Sequence, residues 1–294
     1  MWFIKIALVL VVVFGAVLLL LSFMQTRMLF PAYLVAPPPE LPPSAVALDV
    51  ETGAGEHLYG VHIPPAPSHS GERVVLLGFG GNAWNAACMA VLLHRLFPDR
   101  DVVTFHYRGY RPSTGRPSAA ALLADAPILY DDVIDRLGPA QVVAVGYSIG
   151  TGVAAELASR RPLAGVILVS PFDNLEALAR EHFPWAPVGL LLRHQMPAAD
   201  AIRGATTPVA IIAAENDRII PPRRTEAFRT AAANLVFDRT IPNVGHNDLY
   251  QTPAFEAAMT EALTRILEAG TQVTASQVAG TDATDAAALS SRGC

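Results

Sequence analysis

The sequence predicts an α/β protein built on a mostly parallel, doubly wound sheet, carried behind an N-terminal transmembrane helix. Three observations predict it. From about residue 45 to 268, short β-rich apolar runs alternate with segments of helical spacing, the pattern of strands covered by helices on both faces. Residues 142–152, Val-Val-Ala-Val-Gly-Tyr-Ser-Ile-Gly-Thr-Gly, run from an apolar strand through Gly-x-Ser-x-Gly into a small-residue helix. Residues 6–23 carry no charge and consist almost wholly of Leu, Val, Ile, Ala and Phe.

The apolar run comes first in the chain. Eighteen residues at helical rise extend about 27 Å, close to the hydrocarbon thickness of a bilayer. Secretory leaders have shorter apolar cores and a small-residue cleavage site. Leu21-Ser22-Phe23-Met24-Gln25 offers no Ala-x-Ala, so residues 4–24 read as an uncleaved anchor. Lys5 and the amino terminus flank one end and Arg27 the other, and no further basic residue follows until Arg73. That bias places the amino terminus inside and the domain on the outer, extracytoplasmic side. Residues 25–44 are proline-rich and read as an extended stalk lifting the domain off the membrane.

A domain over residues 45–269 follows. Residues 45–50 and 58–63 read as an antiparallel pair, 73–77 as a buried strand, 84–96 as a helix and 102–106 as a strand. Helical spacing returns at 119–137; 141–145 is the strand before the glycine–serine turn, and 151–160 its helix. Further strands fall at 166–169, 209–213 and 235–239, with helices at 224–232 and 253–267. Residues 174–203 break the rhythm with Phe-Pro-Trp-Ala-Pro followed by three leucines. They read either as a small helical, cap-like insertion over the site or as a crossover helix with an irregular lead-in. Residues 270–294 lack apolar periodicity and read as a disordered tail.

Composition narrows the function. Charged residues make up 16% of the 294-residue chain and hydrophobic residues 52%, against about 25% charged in soluble domains. The apolar anchor accounts for part of that. Net charge is −5 with scattered Lys and Arg, which argues against a nucleic-acid partner. Cys88 and Cys294 lie far apart, without histidines at ligand spacing, so neither a metal site nor a structural disulfide is expected.

The Gly146–Gly150 turn carries the candidate chemistry. Glycines at both ends let a strand and helix approach closely while the serine between them is held exposed. Ser148 is the candidate nucleophile, the rival reading being a βα turn without chemistry. A serine hydroxyl needs a base, itself oriented by an acid, and in this architecture they follow in the order serine, acid, histidine. Asp217 follows the 209–213 strand and His246 follows the 235–239 strand. Glu215 and Asp173 are rival acids, and Asp248 reads as a helix-start residue. His106 ends a strand and reads as packing. Oxyanion donors are expected from the Ile149 amide and from the glycine loop at 78–83, with the Asn82 amide as the second donor. A phosphate-cradling loop is the weaker reading of those glycines, since no Gly-Lys-Ser/Thr follows.

Several stretches together resemble the α/β-hydrolase superfamily, specifically its membrane-anchored serine hydrolases, the group that includes protein depalmitoylases. They are Phe79-Gly80-Gly81-Asn82-Ala83, Tyr107-Arg108-Gly109-Tyr110 with Ser113-Thr114-Gly115, Gly146–Gly150 and Gly245-His246. Ser170-Pro171-Phe172, residues 183–193 and Arg27–Pro31 add to it, so the resemblance spans about residues 1–268. It implies an α/β-hydrolase fold with Ser148, Asp217 and His246 as the triad. One position departs: the family's usual His-Gly is Gly80-Gly81 here. The expected activity is cleavage of an acyl ester or thioester, with amides in range, on a small-molecule or lipid-like acyl substrate without a cofactor. The competing expectation is a catalytically silent, membrane-attached binding or scaffold protein on the same fold.

Overall fold

The computed structural model describes residues 1–66 and 72–270. After the N-terminal helix α1 (Trp2–Leu29), the chain opens with β1 (Val46–Glu51) and β2 (His57–Ile63), then β3 (Val74–Phe79), α2 (Ala86–Leu96) and β4 (Asp101–Phe105). Next come α3 (Ala119–Leu137), β5 (Gln141–Tyr147), α4 (Ile149–Arg160) and β6 (Gly165–Val169). Three short helices follow: α5 (Leu175–His182), α6 (Val188–Leu191) and α7 (Ala198–Ile202). The chain continues through β7 (Val209–Ala214), α8 (Pro222–Ala231) and β8 (Leu235–Ile241) to α9 at residues 253–270.

Among the described residues, eight strands form one sheet in the order β1-β2-β4-β3-β5-β6-β7-β8. The β1–β2 and β2–β4 pairs are antiparallel, and every later pair is parallel. The α/β-hydrolase fold expected from the sequence is the fold observed. Strand periodicity divides the core in two. Val75, Leu77 and Phe79 of β3 join Val142 and Ala144 of β5 on one face, under α3, α4, α7 and α8. Val74 and Leu76 join Val143, Val145 and Tyr147 on the other face, under α2 and α9. A side chain's face is set by its parity along the strand, so continuous apolar runs are what a doubly covered sheet requires. Helix starts are fixed locally: Asn85 accepts from the Ala87 amide at 2.9 Å, and Ser118 accepts from the Ala121 amide at 3.1 Å.

The anchor region differs from expectation at its domain end. α1 continues to Leu29 rather than ending at residue 24, with a mean hydropathy of 3.1 over its apolar window. The expected free stalk over residues 25–44 is instead laid along the domain. Phe30 is 2% exposed within the core shared with α3 and α4, its ring 5.1 Å from that of His194, and Leu29, Ala32 and Val35 pack against that core. Asn85 Nδ2 donates to the Ala36 carbonyl at 2.9 Å, and Leu41 packs on the opposite core. Prolines stop the helix and straighten the chain, but the apolar residues among them gain more from burial than from a solvated tether.

Both readings of residues 174–203 find a counterpart. α7 packs on the sheet's α4 face as a crossover helix would, burying Ala198, Ala199 and Ile202. α5 buries Leu175 and Leu178 in the same core, and α6 meets α1, where Gln25 Nε2 donates to the Leu191 carbonyl at 3.1 Å. The tail expected over 270–294 lies outside the described residues beyond Gly270, the last residue of α9.

Because Phe30 is embedded, Phe30→Ala is expected to cost about 3–5 kcal/mol. The thermal midpoint of the full chain in mild detergent reads this directly. A freely tethered stalk would leave that midpoint unchanged.

Candidate active site

Ser148 follows β5 and opens α4 with φ 52° and ψ −117°, a conformation that side-chain-bearing residues seldom adopt. Its neighbours show why the turn closes only on glycine. A Cβ at Gly146 would stand 2.7 Å from Thr151 Cα, and one at Gly150 would overlap the Phe79 carbonyl oxygen. The Ser148 amide donates to the Val169 carbonyl at 2.9 Å, tying the turn to β6. Ser148 is 8% exposed. Ile149 begins α4, where the first amides lack intrahelical acceptors.

Asp217 and His246 follow β7 and β8, at the same carboxyl edge of the sheet. Asp217 Oδ2 and His246 Nδ1 are 2.7 Å apart, and both residues are buried. The other carboxylate oxygen, Oδ1, accepts from the Ile219 and Ile220 amides at 2.9 and 2.7 Å. Burial alone would raise the Asp217 pKa. The bond to His246, the charge of that ring, the Ile220 amide and the nearby Ser170 hydroxyl outweigh burial and hold it below the usual carboxylate value. The carboxylate therefore stays ionised and accepts the Nδ1–H of His246, so that Nε2 is the ring nitrogen not engaged by it. Among the described residues no hydrogen bond joins Ser148 Oγ to this ring. The two loops do meet: Tyr250, shortly after His246, packs on Tyr147, just before Ser148, with ring centroids 5.5 Å apart.

The rival residues have other partners. Asp173 Oδ2 accepts from Arg224 at 3.1 Å, Glu215 Oε2 from the Asn243 amide at 2.8 Å, and Asp248 precedes the 3-10 turn Leu249–Gln251. His182 bonds the Ile219 carbonyl at 2.8 Å and His194 meets Thr26 at 2.8 Å. His106 is buried with an unpartnered Nδ1.

The glycine loop lies against the nucleophile: a Cβ on Gly81 would sit 3.6 Å from Ser148 Cβ. Asn82 follows, and Ala83 takes φ 57° to turn the chain. Two residues that sequence reading left without a role hold this loop. Tyr107 Oη donates to the Gly80 carbonyl at 2.7 Å, and Tyr110 Oη donates to Asn82 Oδ1 at 3.3 Å. Arg108 between them pairs with Asp125 and, at 2.8 Å, with Glu56. No spacing in the sequence carries their role, because it depends on β4 lying beside β3 in the sheet. At Gly80 a Cβ would meet Trp84 Cβ at 3.6 Å and Met89 Sδ at 3.8 Å, ordinary contacts. The departure from the family's histidine is thus not forced by crowding at Cβ. Trp84 stacks edge-on to Tyr147 at 5.0 Å and packs on Tyr250 at 5.3 Å, joining all three loops.

A sheet of this order, with a strained serine after β5 and a histidine–carboxylate pair after β7 and β8, defines a class. The chain belongs to the α/β-hydrolase superfamily. The profile described as alpha/beta hydrolase fold matches residues 74–192. An uncharacterized protein of Mycobacterium tuberculosis is 34% identical over 249 residues, 83% of this chain and 87% of its own length. The lysophosphatidylserine lipase ABHD12 of Danio rerio is 33% identical over 138 residues, 41% of this chain and 36% of that protein. Among solved structures, an esterase of Pyrococcus furiosus superposes with a TM-score of 0.62 at 14% identity, covering 79% of this chain and 96% of its own.

Burial pushes the His106 pKa down to about 4. In the unfolded chain it titrates near its ordinary value of 6.5. The folded state therefore binds fewer protons between these values, and stability falls as pH drops from about 6.5 towards 4, by about 3 kcal/mol in all. His106→Gln is expected to flatten that part of the melting-temperature profile. An unchanged slope would contradict the assignment.

Proposed function

We propose that this chain is a membrane-anchored serine hydrolase that cleaves an acyl ester or thioester of a lipid-like substrate through a covalent acyl-enzyme. Ser148 Oγ attacks the acyl carbonyl as His246 Nε2 takes its proton, and Asp217 stabilises the imidazolium. The Asn82 and Ile149 amides donate to the oxyanion. Collapse of the tetrahedral intermediate breaks the bond to the leaving alcohol or thiol, which receives the proton from His246. Water then attacks the acyl-enzyme with His246 as base, releasing the acid and free Ser148. The bond from Ser148 Oγ to His246 closes when substrate fills the site, as such bonds commonly do.

One observation carries this reading: a serine in a strained turn at the sheet edge where a buried aspartate–histidine pair of 2.7 Å stands two and three strands away. Two similarities support the substrate class, one to a lysophosphatidylserine lipase and the other to an esterase. The 28-residue helix α1 supports attachment to a membrane. Lys5 at its amino end favours a catalytic domain on the extracytoplasmic side.

Hydrolysis of a short p-nitrophenyl ester by the full chain tests the reading. Ser148→Ala is expected to abolish turnover. Asp217→Asn is expected to lower kcat by about 10⁴ by favouring the wrong tautomer, with little change in KM. Turnover by Ser148→Ala equal to that of the parent would overturn the assignment. A folded parent with no turnover on a panel of acyl esters would support the silent scaffold instead.

A further inference from the structure

Residues 183–192, Phe-Pro-Trp-Ala-Pro-Val-Gly-Leu-Leu-Leu, carry no charge and lie beside α1. The Trp185 ring stands 6.1 Å from that of Phe14, near the middle of the apolar run. Nearer the domain, Gln25 Nε2 donates to the Leu191 carbonyl at 3.1 Å and Gln25 Oε1 accepts the Arg193 amide at 2.7 Å. Arg193 also donates to the Ser22 carbonyl at 2.7 Å. The insertion is thus fastened along α1 from Gln25 down to Phe14.

That placement creates a length problem with one solution. Residues 2–13, the part of α1 beyond the Trp185 contact, extend only about 18 Å, well short of a hydrocarbon core of about 30 Å. If α1 spans a bilayer, the stretch from Phe14 towards Ser22 must also lie in hydrocarbon, and residues 183–192 lie there with it. Their chemistry suits that place. Trp185 is 50% exposed and Leu190 85% exposed, an apolar surface with no protein to cover it. Backbone groups in lipid must be satisfied internally. Pro184 and Pro187 have no N–H, and six of the other eight amides, those of Phe183, Ala186, Val188, Leu190, Leu191 and Leu192, donate to protein carbonyls. Charge resumes at Arg193 and Arg27, where the chain returns to the headgroup level.

We propose that residues 183–192 form a second membrane-embedded element, an apolar wedge that enters one leaflet beside the anchor. A groove of about 210 Å³ runs between wedge and anchor, lined by Leu18, Leu21, Met28, Phe183, Val188 and Leu192. Because α1 forms one wall, the groove opens to the acyl chains of that leaflet, and a lipid acyl chain is its occupant. The inference rests on the anchor reading of α1 and deepens it.

Spin labels on the full chain in phosphatidylcholine nanodiscs test it, in a Cys88→Ser, Cys294→Ser background. Leu190→Cys reports the wedge, Leu10→Cys the anchor and Gly53→Cys an exposed turn in water. The expected result is that the Leu190 label collides with oxygen in preference to a nickel chelate, as the Leu10 label does and the Gly53 label does not. A Leu190 label matching Gly53 while Leu10 stays lipid-like would overturn the wedge and leave the anchor standing. Water-like behaviour at both would overturn both readings. Should the cysteine-free background melt, quenching of Trp185 by dibrominated lipid, measured against Trp185→Phe, answers the same question. Strong quenching supports the wedge, and its absence contradicts it.

Discussion

Gly150, in the first turn of α4, lies so near the Phe79 carbonyl at the end of β3 that no Cβ fits between them. Everything in the site depends on this approach. With no side chain at Gly150 or Gly146, the helix sits directly over the strand ends, and the chain can enter it only through the strained conformation of Ser148. The strain, of order 1–3 kcal/mol, is sustained because the parallel strands on either side fix both ends of the turn. The same approach brings the glycine loop after β3 against Ser148. One contact therefore sets the serine's exposure and the position of the loop proposed to supply an oxyanion donor.

The remaining parts act by holding loops in register. The Tyr147, Trp84 and Tyr250 rings pack together, linking the serine turn, the glycine loop and the segment after His246. Tyr107 and Tyr110 hold the glycine loop from the β4 side, and the part-buried Arg108–Asp125 pair anchors the segment between them. A preorganised polar site is worth more than its individual hydrogen bonds suggest, because little has to move when charge develops. In the proposed mechanism this support comes from aromatic packing and an ion pair outside the reacting groups.

Much of this was legible in the chain, and the limits follow from the physics. Strand parity, glycine spacing and the order of Ser148, Asp217 and His246 are local or sequential patterns, and the sheet and the 2.7 Å Asp217–His246 pair match them. Residues 25–44 were not legible, because proline content reports backbone stiffness and says nothing about where Phe30 or Val35 will be buried. The partner of 183–192 was equally hidden: Gln25 and Leu191 are 166 residues apart, and no periodicity encodes their bond. The roles of Tyr107 and Tyr110 depend on β4 lying beside β3, which is a property of topology rather than of spacing.

The central claim is that Ser148 is the activated nucleophile, and the mass of one peptide tests it most directly. Cleavage after Arg136 and Arg160 leaves residues 137–160, which contain Ser148 and Ser159. After the full-length protein reacts with a fluorophosphonate, fragmentation of that peptide is predicted to place the adduct on Ser148, and labelling is predicted to disappear in His246→Ala. An adduct on Ser159 or elsewhere, or a folded protein that forms none, would contradict the account.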